Sequence, residues 1–155
     1  MKTNGRTKVC LAVSAGGHAS QLMRLEQCWK GLPCFSITTS RAMEKPLARY
    51  GPVYIVDESN RERPWKVLRA LARCVRIVLK EKPGLLISTG AAVGCLAAFV
   101  AKLTGARVIW VDSIANVERL SLSGRLIRPF ADLVLTQWPE VAQKYKSVEY
   151  VGYIV

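Results

Sequence analysis

The stretch Lys8-Val-Cys-Leu-Ala-Val-Ser-Ala-Gly-Gly-His18 decides how this chain folds. Residues 8–14 form an apolar run of strand length, and Ala15-Gly-Gly-His18 turns it straight into a helical pattern. A strand that ends in small residues and opens a helix leaves backbone N–H groups facing outward, with no side chains in the way. The partial positive charge there suits a phosphate or diphosphate. His18, the only histidine in the chain, falls in the first helical turn, close to whatever anion the turn holds. A Gly-Gly pair also serves a tight chain reversal with no ligand at all. Gly-x-Gly-x-x-Gly is not matched, because His18 follows Gly17 and no third glycine comes after it, so a dinucleotide site of the usual kind is disfavoured.

Outward from this stretch, strand and helix alternate. Strand-like runs are Val9–Ser14, Cys34–Thr39, Val53–Asp57, Leu85–Ser88, Arg107–Asp112 and Leu133–Thr136. Helical patterns lie between them, near 18–30, 41–50, 64–82, 91–104, 122–130 and 139–145. Short apolar strands separated by helices call for a parallel sheet covered on both faces. Gly31-Leu-Pro33, Gly51-Pro52, Pro83-Gly84 and Gly105 punctuate the joints. The expected architecture is one doubly wound α/β domain spanning residues 1–155. In such sheets ligands sit beyond the carboxyl ends of the strands. Three ends are equipped for that: Ser14-Ala-Gly16-Gly17-His18, Ser88-Thr89-Gly90, and Asp112-Ser113 leading to Asn116 and Glu118.

Composition narrows the classes. The 155 residues suffice to bury a core, and half are hydrophobic, which excludes disorder. A net charge of +12 calls for an anionic partner: nucleic acid, an acidic membrane surface or a phosphorylated substrate. The five cysteines, at 10, 28, 34, 74 and 95, include no Cys-x-x-Cys pair, and four lie in apolar strand or helix patterns. Buried, reduced thiols are the expectation, with no metal site and no cofactor. Met1–Lys8 is polar and does not read as a signal peptide. Gly84–Ala101 carries no charge, yet Ser88-Thr89-Gly90 splits it into a buried strand and a small-residue helix rather than a membrane span.

Residues 61–82 hold eight Lys/Arg against two Glu. Lys66, Arg69, Arg73, Arg76 and Lys80, spaced 3, 4, 3, 4, form one stripe of a helix that Pro64 starts. Leu68, Leu71, Val75, Val78 and Leu79 are expected on the opposite, core-facing side. Each basic residue near an anionic bilayer is worth about 1 kcal/mol, so the stripe is expected to hold the domain on a membrane surface. No aromatics interleave with it and no nucleic-acid motif is readable, which disfavours nucleic acid as the partner.

Ser14-Ala-Gly-Gly-His18, Ser88-Thr-Gly90, Arg119-Leu-Ser-Leu-Ser-Gly-Arg125, Pro129-Phe-Ala-Asp132, Gln137-Trp-Pro-Glu140 and Glu149-Tyr-Val-Gly-Tyr153 carry a family likeness across nearly the whole chain. They resemble the membrane-associated subunit of two-part, UDP-sugar-dependent glycosyltransferases. One relative anchors the enzyme that adds the second N-acetylglucosamine to dolichol diphosphate. Others are the PssD/EpsE/CpsF-like proteins of exopolysaccharide and capsule assembly. More distantly the chain resembles the N-terminal half of MurG, a single-chain enzyme of the GT-B fold. The resemblance implies a Rossmann-like half that binds the lipid-diphosphate saccharide acceptor and the membrane, while a separate subunit binds the UDP-sugar. The chain ends just after what would be the last strand of one half, which fits such a partner. Eukaryotic members begin with a transmembrane anchor that this sequence lacks, so attachment is expected to be peripheral, on the cytoplasmic face of the cell membrane, through residues 61–82 and Trp65.

On this reading the acceptor hydroxyl needs a general base, and His18 is the candidate by position; Glu118 and Asp112 are the others. Ser14, Gly16, Gly17, Ser88, Thr89, Gly90, Asp112, Asn116 and Glu118 are candidates for the acceptor and its diphosphate. Trp138, Pro139 and Glu140 are candidates for the partner interface. Two further readings stay open: a scaffold that supplies no group to the chemistry, and a basic nucleic-acid-binding α/β domain.

Overall fold

In a computed structural model describing residues 7–58 and 64–154, the chain forms one sheet of seven parallel strands flanked by helices. The strands are β1 (Val9–Val13), β2 (Cys34–Thr38), β3 (Val53–Ile55), β4 (Leu85–Ser88), β5 (Arg107–Val111), β6 (Leu133–Thr136) and β7 (Glu149–Tyr150). The helices are α1 (Gly17–Arg24), α2 (Glu44–Ala48), α3 (Pro64–Glu81), α4 (Ala91–Leu103), α5 (Leu122–Ile127) and α6 (Pro139–Lys144). Short 3₁₀ turns, Glu26–Cys28 and Arg41–Met43, occupy the rest of the two patterns read as helix over 18–30 and 41–50. The six strand-like runs all become strands. The two-residue β7 lies outside those runs and adds an edge.

The spatial order is β3-β2-β1-β4-β5-β6-β7. The chain winds outward from β1 to β3, returns through α3, and winds outward again from β4. The winding direction therefore reverses between β1 and β4, which is where an open α/β sheet leaves a crevice at its carboxyl edge.

Alternation along β1 sorts the core. Cys10 and Ala12 face the layer of α3 and α4, packing with Cys74, Val78, Val93, Ala97 and Ala101. Val9, Leu11 and Val13 face α1 and α2, packing with Ala19, Leu22, Trp29 and Leu47. Strand register puts Leu85, Ile109, Leu133 and Leu135 on this second face as well. They are only half-buried there. Cys10, Cys34 and Cys74 are buried free thiols, Cys95 is half-buried and Cys28 exposed. Burial pushes the Cys74 thiol up to about 11, which keeps it protonated and unreactive.

α3 departs from its expected orientation. Its core contacts are Ala70, Cys74 and Val78, small or slender residues that let the helix lie close to the sheet. Leu68 (61% exposed), Val75 (36%) and Leu79 (55%) face outward, as does Trp65 (79%). The expected core-facing stripe is therefore wrong at Leu68, Val75 and Leu79. α4 is largely buried, as its small residues suggest, with Phe99 and Leu103 emerging at its far end. No helix among the described residues is long and apolar enough to cross a membrane.

Candidate functional site

Two strand-end turns meet at the switch point. His18, in the first turn of α1, reaches across from the end of β1 to the turn that follows β4. Its Nδ1 lies 2.8 Å from the Thr89 carbonyl oxygen, and the Thr89 hydroxyl donates back to the His18 carbonyl at 2.6 Å. A carbonyl only accepts, so Nδ1 carries the hydrogen, and a neutral ring then presents the lone pair of Nε2. Among the described residues Nε2 has no hydrogen-bond partner.

Gly90 makes this contact possible. Its φ of +130° is hostile to side chains, and a Cβ there would sit 2.6 Å from His18 Cε1 and 2.7 Å from Nδ1. Ala91 next to it also has a positive φ, +69°, so the turn is strained where α4 begins. Gly90→Ala is expected to push the imidazole off the Thr89 carbonyl. Because His18 is the sole histidine, ¹⁵N shifts of one imidazole report this directly: an Nδ1–H tautomer in the parent, and loss of that signature in the variant.

The glycine and hydroxyl candidates divide. Gly16 caps α1 at φ +71°, and Gly16 and Gly17 are exposed with open space around them. Ser14 is half-buried, its hydroxyl 3.4 Å from the Ala15 carbonyl oxygen. Ser88 and Thr89 are fully buried. The Ser88 hydroxyl accepts from Gly90 N–H at 3.2 Å, and that of Thr89 is committed to His18. Their side chains shape the turn rather than face a ligand. What the turn offers an anion is the first-turn amides of α4, which no side chain caps.

Asp112 is corrected more sharply. It is 1% exposed, and both carboxylate oxygens are taken. Oδ1 accepts from Trp110 Nε1 at 3.0 Å and from the Ser121 hydroxyl at 2.6 Å, while Oδ2 accepts Ser121 N–H at 2.8 Å. The Ser121 hydroxyl in turn accepts from Gly124 N–H at 2.9 Å and caps α5. A Cβ on Gly124 would lie 2.7 Å from Asp112 Oδ1, so glycine is required where α5 passes the carboxylate. Asp112 organises the loop that walls the site; it is available neither as a base nor as a diphosphate ligand.

Beside His18 opens a cleft of about 620 Å³, lined by the polar His18, Ser113, Asn116, Ser121 and Ser123 and by the apolar Val67, Ala92, Cys95, Leu96, Leu122 and Leu126. Asn116 thus joins His18, and with Ala115 it also lines a neighbouring depression that holds exposed Glu118 and Arg119. The α4 and α5 walls were not among the expected site residues. The signal was present in the small residues opening α4 and in Leu-Ser-Leu-Ser-Gly, but only the fold sets the two segments side by side.

Trp138, at the end of β6, donates its Nε1–H to the Ile114 carbonyl at 2.7 Å and packs edge-on against Tyr153 at 5.3 Å. Pro139 starts α6 and Glu140 is exposed beside it. Trp138 therefore pins the 113–118 loop to the carboxyl edge of the sheet.

On α3 the exposed surface is split lengthwise. Trp65, Leu68, Val75 and Leu79 form an apolar seam, and Lys66, Arg69, Arg73, Arg76 and Lys80 a basic seam beside it. The basic seam is less pure than expected. Asp57 lies 4.0 Å from Arg69 and 3.7 Å from Arg73, and the Lys80 ammonium donates to Tyr54 at 3.2 Å, which raises its pKa. Residues 61–63 of the expected basic stretch lie outside the described residues.

A Rossmann-like half with a histidine at its switch point and an apolar cleft beside it is the class that fold and site define. Among solved structures, MurG of Acinetobacter baumannii superposes with a TM-score of 0.76 over 94% of this chain and 45% of that one, at 18% identity. At that identity the likeness concerns the fold, which is that of a GT-B half. Residues 54–154 match the profile of the Alg14-like oligosaccharide biosynthesis proteins, and the chain belongs to that family. The UDP-N-acetylglucosamine transferase subunit ALG14 of Yarrowia lipolytica is 42% identical over 92 residues, covering 56% of this chain and 43% of that protein. The Mus musculus protein of the same name is 35% identical over 85 residues, covering 51% and 39%. The match thus spans less than half the length of each of these two relatives.

Proposed function

We propose that this chain is the acceptor-side subunit of a two-chain glycosyltransferase. A separate subunit holds the UDP-sugar, and this one holds a lipid-diphosphate-linked saccharide at a membrane surface, in glycan or polysaccharide assembly. The observation that carries the reading is His18, pinned by Nδ1 to Thr89 and lining a cleft together with Ala91 and Ala92 at the start of α4. The relatives' own name, transferase subunit, supports a shared enzyme. In the reaction the acceptor hydroxyl oxygen bonds to the anomeric carbon, the bond from that carbon to UDP breaks, and His18 Nε2 takes the hydroxyl proton. Gly16, Gly17 and the first-turn amides of α4 hold the acceptor diphosphate. The partner is expected near Trp138, Pro139 and Glu140 at the carboxyl edge. The test is co-expression with a UDP-sugar-binding subunit and assay of transfer from UDP-N-acetylglucosamine to a lipid-diphosphate acceptor in membranes. Transfer only with both chains supports the reading; no complex and no transfer overturns it.

The membrane part of the reading rests on α3. Apolar and basic seams side by side suit a helix lying in the interface of an anionic bilayer. Full burial of a leucine is worth about 1.5–3 kcal/mol. Leu68→Glu with Leu79→Glu, both at exposed positions, is therefore expected to weaken co-sedimentation with phosphatidylcholine/phosphatidylglycerol vesicles more than about tenfold. Unchanged sedimentation would remove α3 from the membrane contact.

A further inference from the structure

Two consecutive residues just past β6 each make one contact to the loop after β5 and one to the segment after β7. Gln137 has no exposed surface. Its Nε2–H donates to the Asp112 carbonyl at 3.1 Å, and its Oε1 accepts the Ile154 N–H at 2.8 Å. A backbone carbonyl only accepts and a backbone N–H only donates, so one orientation of the amide satisfies both ends. Trp138 also reaches both ways. Its Nε1–H holds the Ile114 carbonyl, and its ring meets Tyr153 edge-on.

The loop held in this way carries Ser113, Ala115 and Asn116 to the cleft beside His18. It is a tight turn: the Ser113 carbonyl accepts Asn116 N–H at 3.0 Å, and the Ser113 hydroxyl accepts Ala115 N–H at 3.3 Å. Farther along, the Lys144 ammonium donates to the Glu118 carbonyl at 2.6 Å. Side chains of residues 137–144 thus hold the loop backbone at 112, 114 and 118. Among the described residues the Asn116 side chain makes no hydrogen bond of its own, so its place in the cleft depends on where the turn is held. The segment on the other side is lightly attached. Val151 N–H pairs with the Thr136 carbonyl at 3.0 Å. Gly152 follows at φ +83° with open space around it, and Tyr153 is 53% exposed.

From this we infer that Gln137 and Trp138 are positioning residues for the candidate site. They set the turn that presents Ser113 and Asn116 to the cleft, and Tyr153 and Ile154 hold them in place. The inference rests on the acceptor reading above and adds to it a control that lies outside the cleft. Freeing Ile154 leaves a buried amide oxygen without a donor, which is costly. The Gln137 amide then shifts toward another donor and loosens its hold on Asp112, and the turn moves with it.

The test is Ile154→Pro, which removes the N–H that Gln137 accepts and leaves every loop residue intact. In ¹H–¹⁵N spectra of the full chain, the signals of Ser113, Ala115, Asn116 and the Trp138 indole are expected to shift, while those of β1 and α1 stay in place. Ile154→Ala keeps the N–H and is expected to leave the loop signals unmoved. Gln137→Met, which cuts the bridge at its centre, is expected to move the same signals as Ile154→Pro; should it fail to fold, the two Ile154 variants decide alone. In the two-chain enzyme Ile154→Pro is expected to raise KM for the lipid-diphosphate acceptor about three- to tenfold, the worth of one hydrogen bond, with KM for the UDP-sugar unchanged. Shifts confined to residues 150–155 and Gln137, or equal shifts from Ile154→Ala, overturn the inference and leave the acceptor reading standing. A moved loop with the acceptor KM within about twofold of the parent also overturns it, because the turn then serves the fold and not the site. If the parent pair transfers no sugar, the acceptor reading falls, and the inference that these residues position a site falls with it.

Discussion

His18→Ala is expected to lower sugar transfer by the assembled two-chain enzyme by about 10²–10⁴-fold, the usual contribution of a positioned general base, while the two chains still associate. Geometry makes the assignment specific. Asp112, the buried alternative, has both oxygens engaged by Trp110 and Ser121, and Glu118 is exposed and does not line the His18 cleft, only the depression next to it. His18→Gln sharpens the test, because an amide keeps a donor for the Thr89 carbonyl but offers no basic nitrogen. If the imidazole only holds the turn, glutamine restores activity. If it takes the proton, glutamine is as inactive as alanine. Activity of His18→Ala within about threefold of the parent would leave the chain a scaffold that recruits a catalytic partner.

The second large effect falls on folding. Asp112→Ala leaves Trp110 Nε1–H, on a residue with no exposed surface, and Ser121 N–H without an acceptor. Each buried donor so stranded costs about 1–3 kcal/mol, so a loss of about 3 kcal/mol or more is expected. For a domain this size that corresponds to a fall in Tm of about 10 °C in a thermal melt. The damage reaches the site too, since Ser121 caps α5 and α5 walls the cleft. A Tm within about 2 °C of the parent would show that the network is dispensable.

The strands were legible because each is a short, nearly continuous apolar run between glycine and proline joints, the pattern of a sheet covered on both faces. The His18 and Gly90 turns were legible as turns because glycine marks the points where the chain reverses tightly at a strand end. Asp112 was misread for a physical reason: a carboxylate at a strand end has the same sequence signature whether it faces a ligand or ties down the next loop. Only the reach of Ser121, nine residues on, distinguishes the two. α3 was misread because its apolar arc is wider than its contact with the sheet. Periodicity assigns the largest apolar residues inward, whereas close approach to the sheet selects Ala70 and Cys74 and leaves Leu68 and Leu79 outside. The cleft was invisible because α4 and α5 become its walls only through the strand order.

The row of Leu85, Ile109, Leu133 and Leu135, on the sheet face opposite α3 and α4, is only half-buried. A species that bound the folded chain there and not the unfolded one would raise its stability by RT ln(1 + [L]/Kd), so that the folding equilibrium would follow that species' concentration.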